Sequence, residues 1–408
     1  MTHAKTAKPP QDFLEQNHYQ IKIHSEISQI PAKQWNALVE ANHPFIKYEF
    51  LHALEKHHCV SEKYGWIPHH IGLYNQNDEL VAALPLYEKH NNYGEFVFDQ
   101  AWEQAWNSIG LPYFPKLVST TPYTPVLGQR FLIDETLDLD QQKHVFHQLF
   151  TAATQFCEQH NMSGTHFLFT KPQHQTWLNS FSQNSEPNLY IRNDCQFHWH
   201  NQNYQTFEDF LAQLKPKKRK NIKQERQAIA KLGITFRVLN GHQATQKDWQ
   251  DFDFFYQKTF IEKWSTPTLN IGFFKEIGKS LADNIVLVLA DYQDECIAGA
   301  LMFQSDTHLY GRHWGAAKEV KHLHFESCFY QGIEYAIKQG LQVFEPGAGG
   351  EHKIARGFSP VKMQSAHWLT VNPFEQGLLN FIEQEQQMIE EYVLDCETHS
   401  PYKSKEPN

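Results

Sequence analysis

HHIGLYNQNDELVAALPLYEKHNNYGEFVF, from His69 to Phe98, and VLVLADYQDECIAGALMFQSDTHLYGRHW, from Val286 to Trp314, decide the fold, because they are two copies of one pattern. Asp78-Glu79 aligns with Asp294-Glu295, Leu73 with Leu289 and Ala82 with Ala298. One residue of slippage later, Tyr93-Gly94 aligns with Tyr310-Gly311. Apolar runs separated by Asn/Asp-type turns make each copy an antiparallel meander.

Each meander leads on to a helix and a short strand. In the second half the spacing predicts a helix over His324–Gln339, with apolar residues Phe325, Phe329, Ile333, Ala336 and Ile337, stopped by Gly340. In the first half the helix runs from about Lys143 to His160, before a strand at Thr165–Phe169. A helix between two strands permits parallel pairing, so each half reads as a mixed, mostly antiparallel α/β sheet flanked by helices. The first half carries an extra segment, about Trp102 to Leu139, containing TPYTPVLGQR (Thr121 to Arg130). Its prolines predict a structured loop or lid and no helix.

The stretch EPGAGGEHKIARGF, Glu345 to Phe358, follows the last short strand. Gly347, Gly349, Gly350 and Gly357 let backbone approach a ligand and present its N–H groups. Glu345 and His352 are candidates for proton transfer, Lys353 and Arg356 for anion binding. A P-loop would need Lys-Ser/Thr after Gly350, where Glu351 stands, and a dinucleotide fingerprint would need glycine at His352.

With 408 residues, 41% hydrophobic and 14% aromatic, the chain is globular and long enough for two domains. The 25 histidines scatter without a third ligand at metal spacing, so no metal site is expected. The six cysteines form no Cys-x-x-Cys and read as reduced thiols of a cytosolic protein. The N-terminal residues do not form a signal peptide, and no apolar run approaches the ~20 residues that cross a bilayer. These features give the expectation of a soluble, cytoplasmic protein.

A formal net charge of -10 argues against a general nucleic-acid binder. KPKKRKNIKQER, Lys215 to Arg226, nevertheless holds seven cations and one acid. On a helix after Pro216, Arg219, Lys220, Lys223 and Arg226 come within reach of one another. Such a face is either a solvated basic helix or a site for a phosphate-bearing ligand, with Lys217 and Lys218 beside it.

Together, FLHALE (Phe50 to Glu55), GWIPHH (Gly65 to His70), YFPKL (Tyr113 to Leu117), TPYTPVLGQR, KKRKNIKQER and LYGRHWGA (from Leu309) carry a resemblance. HFESCFYQGIEYA (from His324) and EPGAGGEHKIARGF complete it. The chain resembles, from about Pro44 to Trp368, the FemAB-like (peptidoglycan biosynthesis/recognition) family of predicted N-acyltransferases in the GNAT superfamily. The resemblance implies tandem GNAT-like domains, acyl or aminoacyl transfer to an amine acceptor, and acyl-CoA or aminoacyl-tRNA as co-substrate with no tightly bound cofactor. Residues 1–20 are then expected as a tail, 21–195 as a recognition domain, 196–395 as the catalytic domain and 396–408 as a second tail. A typical acetyl-CoA-binding GNAT domain carries Arg/Gln-x-x-Gly-x-Gly/Ala before its central helix. This chain has Gly315 to His322 there without those glycines, as the tRNA-dependent FemABX relatives do. The basic segment resembles their cationic helix at the domain junction, but no heptad pattern marks their coiled-coil arm.

Amide formation needs a base for the ammonium proton, donors for the oxyanion and help for the leaving group. Glu345 or His352 is the candidate base, with Gly347 to Gly350 amides at the oxyanion. Tyr330 is a candidate proton donor, and His324 and Glu326 sit at the start of its helix. Tyr123, Thr124, Arg130, Lys263, Trp264 and Trp314 are candidates for acceptor recognition. The rival function is a non-catalytic protein that recognises peptidoglycan precursors or tRNA. Donor, acceptor and oligomeric state are not fixed by the sequence.

Overall fold

The computed structural model describes residues 19–184 and 188–403. Most of the expected tail 1–20 therefore lies outside the described residues, and Gln20 already begins strand β1 (Gln20–His24).

Both meanders form. In the first half β1, β3 (His70–Tyr74), β4 (Leu80–Leu84) and β7 (Leu132–Ile133) make a four-stranded sheet, β2 (Trp66–Pro68) lying elsewhere. In the second half β10 (Thr235–Leu239), β11 (Ile285–Tyr292), β12 (Glu295–Gln304) and β13 (His308–Ala316) are neighbours in the same antiparallel order. The third strand of the first copy is a correction. Tyr93-Gly94 lies in a turn, and the strand that follows β4 is β5 (Tyr87–Lys89), which leaves for another sheet. Its place beside β4 is taken by β7, more than forty residues later.

The inserted segment departs from expectation as well. It begins with a helix, Gln100–Ser108, whose Trp102 and Trp106 are buried, and continues as β6 (Lys116–Ser119). The prolines predicted to bar a helix all come after Ser108, so they cannot interrupt it. Thr121, Thr124, Gln129 and Arg130 are buried, so TPYTPVLGQR is interior packing and not a lid.

A long helix, Leu139–Gln159, returns the first half to its sheet. Asp138 and Gln141 close a capping box at its start, and Val145, Phe146, Leu149, Phe150, Ala153 and Cys157 bury one face. In the second half the equivalent helix runs Leu323–Phe325, a π turn Glu326–Tyr330 and Gln331–Gln339, then ends at Gly340 with φ 69°. It delivers β14 (Val343–Glu345) parallel to β13.

The halves are joined by exchange of their last strands. An 11-stranded sheet has the order β10-β11-β12-β13-β14-β9-β15-β8-β6-β5-β2. Here β8 is Gly164–Phe167, β9 is Leu189–His200 and β15 is Ser359–Leu369. β9, the last strand of the first half, pairs with β14 of the second, while β15, from the second half, pairs with β8 of the first. β9 and β15 also pair with each other from Leu189↔Trp368 to His198↔Ser359. The boundary drawn at 195/196 thus falls inside β9. The expected tail after 395 is docked as far as described: the helix Glu375–Thr398 packs on β9 and β15, and the Tyr402 hydroxyl donates to the Gly357 carbonyl at 2.7 Å.

Candidate active site

β13 and β14 pair only over His308–Tyr310 and Val343–Glu345. The next residue after β14 is Pro346, which has no N–H to extend the ladder, so the strands part. β13 runs on to Ala316, bonded to β12 alone, and its other edge opens onto a cleft of about 300 Å3. A Cβ on Gly311 would lie 3.2 Å from Pro346 Cα, so glycine keeps the strands close where they diverge. Ala300, Met302, Gly311 and Trp314 form the strand side of the cleft. His324, Cys328 and Phe329 come from the helix, and Ala348, Gly349, Gly350, His352 and Lys353 from the loop.

The glycine loop has a definite polarity. Gly347, Gly349 and Gly350 take φ of 94°, 68° and 94°, and Lys353 Nζ donates to the carbonyls of Gly347 (2.6 Å) and Ala348 (3.3 Å). A trans peptide points its N–H opposite to its C=O, so the Ala348 and Gly349 amides face away from the ammonium. Among the described residues none of the amides from Gly347 to Gly350 donates to a protein acceptor. Burial pulls the buried Lys353 ammonium down to about 8.

Three imidazoles converge here. Desolvation first, then the His352, Arg356, Lys263 and Lys353 charges, hold His324 at about 4. Desolvation, with Lys353 and Arg356, also lowers His352, and burial puts His313 well below its ordinary value. All three are neutral near pH 7. The His324 and His352 ring centroids are 6.4 Å apart, and Trp314 meets His324 edge-on at 5.5 Å. Arg356 stacks on Phe325 at 3.4 Å, donates to the His352 carbonyl at 2.8 Å and pairs with Glu225 at 2.9 Å. It therefore holds His352 in place and is not a free anion clamp.

Of the other catalytic candidates, Glu345 does not line the cleft. Its carboxyl accepts from the Leu127 amide at 3.4 Å and lies 3.9 Å from His198 Nε2, in the packing between the halves. Desolvation raises it to about 8 despite the neighbouring Arg130, so it is protonated at neutral pH. Tyr330 is buried and its hydroxyl donates to Glu225, while Glu326 accepts from Arg226 and Gln331. Both serve to dock the basic helix, Pro216–Lys231.

On that helix Lys223 pairs with Glu208, whereas Lys217, Lys218, Arg219 and Lys220 enter no ion pair among the described residues. Arg130, expected at the acceptor, is fully buried and donates to the Leu168, Gln129 and Val126 carbonyls. Tyr123 and Thr124 are buried too, and the Tyr123 carbonyl accepts from Arg312. Arg312 is the extra residue of a bulge between Leu301↔His313 and Met302↔Gly311, which turns it toward the first half. Lys263 and Trp314 line a groove of about 700 Å3 that shares Trp314 and His324 with the cleft and adds Lys318 and Lys321. Trp264, 98% exposed, projects beyond it.

Cys328, Phe329 and His313 were missed as site residues. The His324/Cys328 spacing of one helical turn was the signal for the first. Among the described residues, no group of three His, Cys, Asp or Glu side chains is placed to hold a metal ion.

A meander, a crossover helix and a parallel strand pair, β13/β14 in one half and β6/β8 in the other, define a tandem GNAT-like fold. The chain belongs to the FemAB-like family, described as peptidoglycan biosynthesis/recognition, whose sequence pattern matches residues 26–404. No curated protein matches the chain. Among solved structures it is similar to FemX, at 12% identity and TM-score 0.52, over 89% of this chain and 100% of that one. It is also similar to the C-terminal domain of a putative lysylphosphatidylglycerol synthetase from Agrobacterium fabrum, at 9% identity and TM-score 0.50, over 86% and 95% of the two chains. A tandem GNAT protein from the clavulanic acid pathway is a further match, at 7% identity and TM-score 0.45, over 87% and 99%.

Proposed function

We propose that the chain is an N-acyltransferase that moves an acyl or aminoacyl group from acyl-CoA or aminoacyl-tRNA to an amine. The observation that carries this reading is the meeting of neutral imidazoles and unpaired glycine-loop amides in the cleft where β13 and β14 part. The family's description directs the choice of acceptor toward amines of peptidoglycan-precursor peptides.

In this reading the donor carbonyl lies against the loop, and the remainder of the donor leaves along the groove. His352 or His324 takes a proton from the acceptor ammonium, and the free amine attacks the carbonyl carbon. The Ala348 and Gly349 amides stabilise the oxyanion. Collapse, with loss of the second nitrogen proton to solvent, forms the amide and expels the coenzyme A thiolate or the ribose oxyanion, which takes a proton from the imidazolium. Burial, ahead of the site's cations, keeps the imidazoles neutral, and the same cations lower the affinity of the bound amine for its proton. Lys263, Lys318 and Lys321 supply charge for the donor's phosphates, with Lys217 to Lys220 available to a longer polyanion. The first half acts as recognition partner.

Native mass spectrometry of the chain isolated under gentle salt tests the donor. A retained coenzyme A ester supports the first donor and RNA of tRNA size the second. Failure to consume either donor class in an assay with amine acceptors would favour the non-catalytic reading.

A further inference from the structure

The first half contains a cleft of its own, beyond the end of its parallel strands. The parallel pair is β6/β8, Leu117–Ser119 beside Thr165–Phe167; beyond it a further bridge, Gly128↔Thr170, is followed by β7 turning to pair with β4 and by a helix from Pro172. Between them lies a cleft of about 410 Å3. It is bounded by the end of β7 (Ile133), the first turn of the following helix (Gln142) and the chain after β8 (Lys171, Gln173). Like the candidate active site, it lies against a helix start and the chain that follows a parallel strand. The cleft is lined mainly by polar groups.

Those groups select a ligand by charge. Lys171 is committed to an ion pair with Glu40, and Glu135 has no ion-pair partner among the described residues, so the free charge is negative. The side-chain nitrogen of Gln142 already donates to the Leu137 carbonyl at 2.8 Å, which leaves its oxygen to accept. His174 is 1% exposed, packed among Phe131, Phe146 and Trp177, and its Nδ1 has no hydrogen-bond partner. Burial, with the Lys171 and Arg130 charges, keeps that imidazole neutral, so one of its nitrogens is an acceptor. Trp177 adds an aromatic wall. Surplus acceptors, one free carboxylate and an aromatic face fit an organic cation and disfavour a phosphate or carboxylate.

We propose that this first-half cleft binds a small organic amine in its ammonium form. The inference does not rest on the acyltransferase reading, because the site and its readout are separate from the reaction.

Isothermal titration of the full chain with 1,4-diaminobutane and spermidine tests it, with 1,4-butanediol and inorganic phosphate as uncharged and anionic controls. The expected result is saturable heat from the two amines only. Glu135→Gln combined with Gln173→Ala, both at exposed positions, is expected to weaken amine binding by at least about tenfold, because a charge-assisted contact is removed. His352→Ala in the second half is expected to leave it unchanged. Absence of saturable amine binding at millimolar concentration would overturn the proposal. So would equal binding of the diol, or loss of binding in His352→Ala with none in the double variant.

Discussion

Replacing Gly350 by alanine separates backbone strain from catalytic geometry, because a matched control lies one residue away. At Gly350 (φ 94°) a Cβ would stand 2.5 Å from His352 Cε1 and 3.0 Å from its Nδ1, so the imidazole must move. At Gly349 (φ 68°) a Cβ would meet nothing within 4 Å. Both substitutions force a non-glycine residue to a positive φ, at about 1–3 kcal/mol each. Only Gly350→Ala also displaces the proposed base. A displacement of about 1 Å at a reacting group costs up to about 10²-fold in rate. Gly350→Ala is therefore expected to lower kcat/KM by about 10²-fold and Gly349→Ala by less than about threefold, with similar losses of stability. Steady-state acyl transfer, paired with urea unfolding of both variants, measures the two effects. Equal loss of activity in the two variants would refute the argument that His352 geometry matters.

Glu345 gives a stability prediction with a definite sign. Its folded pKa is raised to about 8 from an ordinary value near 4.5, so the folded state holds a proton that the unfolded state releases. Stability contributed by this group is full below about pH 4.5 and is lost as pH rises to about 8. Glu345→Gln is expected to flatten that part of the stability profile in urea melts and to retain turnover; a loss above 10²-fold with intact folding would restore it as the base. The low value of His324 and the lowered His352 predict no break in kcat near pH 6.5 at saturating acceptor, checked by a pH–rate profile from 5 to 9. Arg130→Ala strands three buried carbonyls and is expected to cost about 3–5 kcal/mol in denaturant unfolding. Lys318→Ala with Lys321→Ala is expected to raise the donor KM several-fold at low salt and to leave kcat within about twofold.

Periodicity made the repeated meanders and both crossover helices legible, because strand and helix patterns are local. Strand exchange was not legible: β9 reads as the same half-buried strand whether β14 or another strand lies beside it. The Tyr93-Gly94 match misled because two identical residues fixed an alignment without fixing a ladder. At the site, the glycine loop, His352 and His324 stood out through their chemistry. Glu345 stood out equally, and only the direction of its side chain, set by the pairing of β14, separates a buried carboxyl from a catalytic one. Glu326 and Tyr330 could not be placed from sequence because their partners, Arg226 and Glu225, lie about 100 residues away in the basic helix. Arg130 was a polar residue in a proline-rich loop, a pattern shared by recognition loops and by loops folded around an internal guanidinium.

Single-turnover transfer tests the central claim most directly. The wild-type chain and the His324→Ala/His352→Ala double variant are mixed with labelled acyl-CoA or aminoacyl-tRNA and a panel of peptide amines, and amide product is counted. The account predicts product from one donor class with the wild type and a loss of at least about 10²-fold in the folded double variant. Undiminished amide formation by that variant would contradict it.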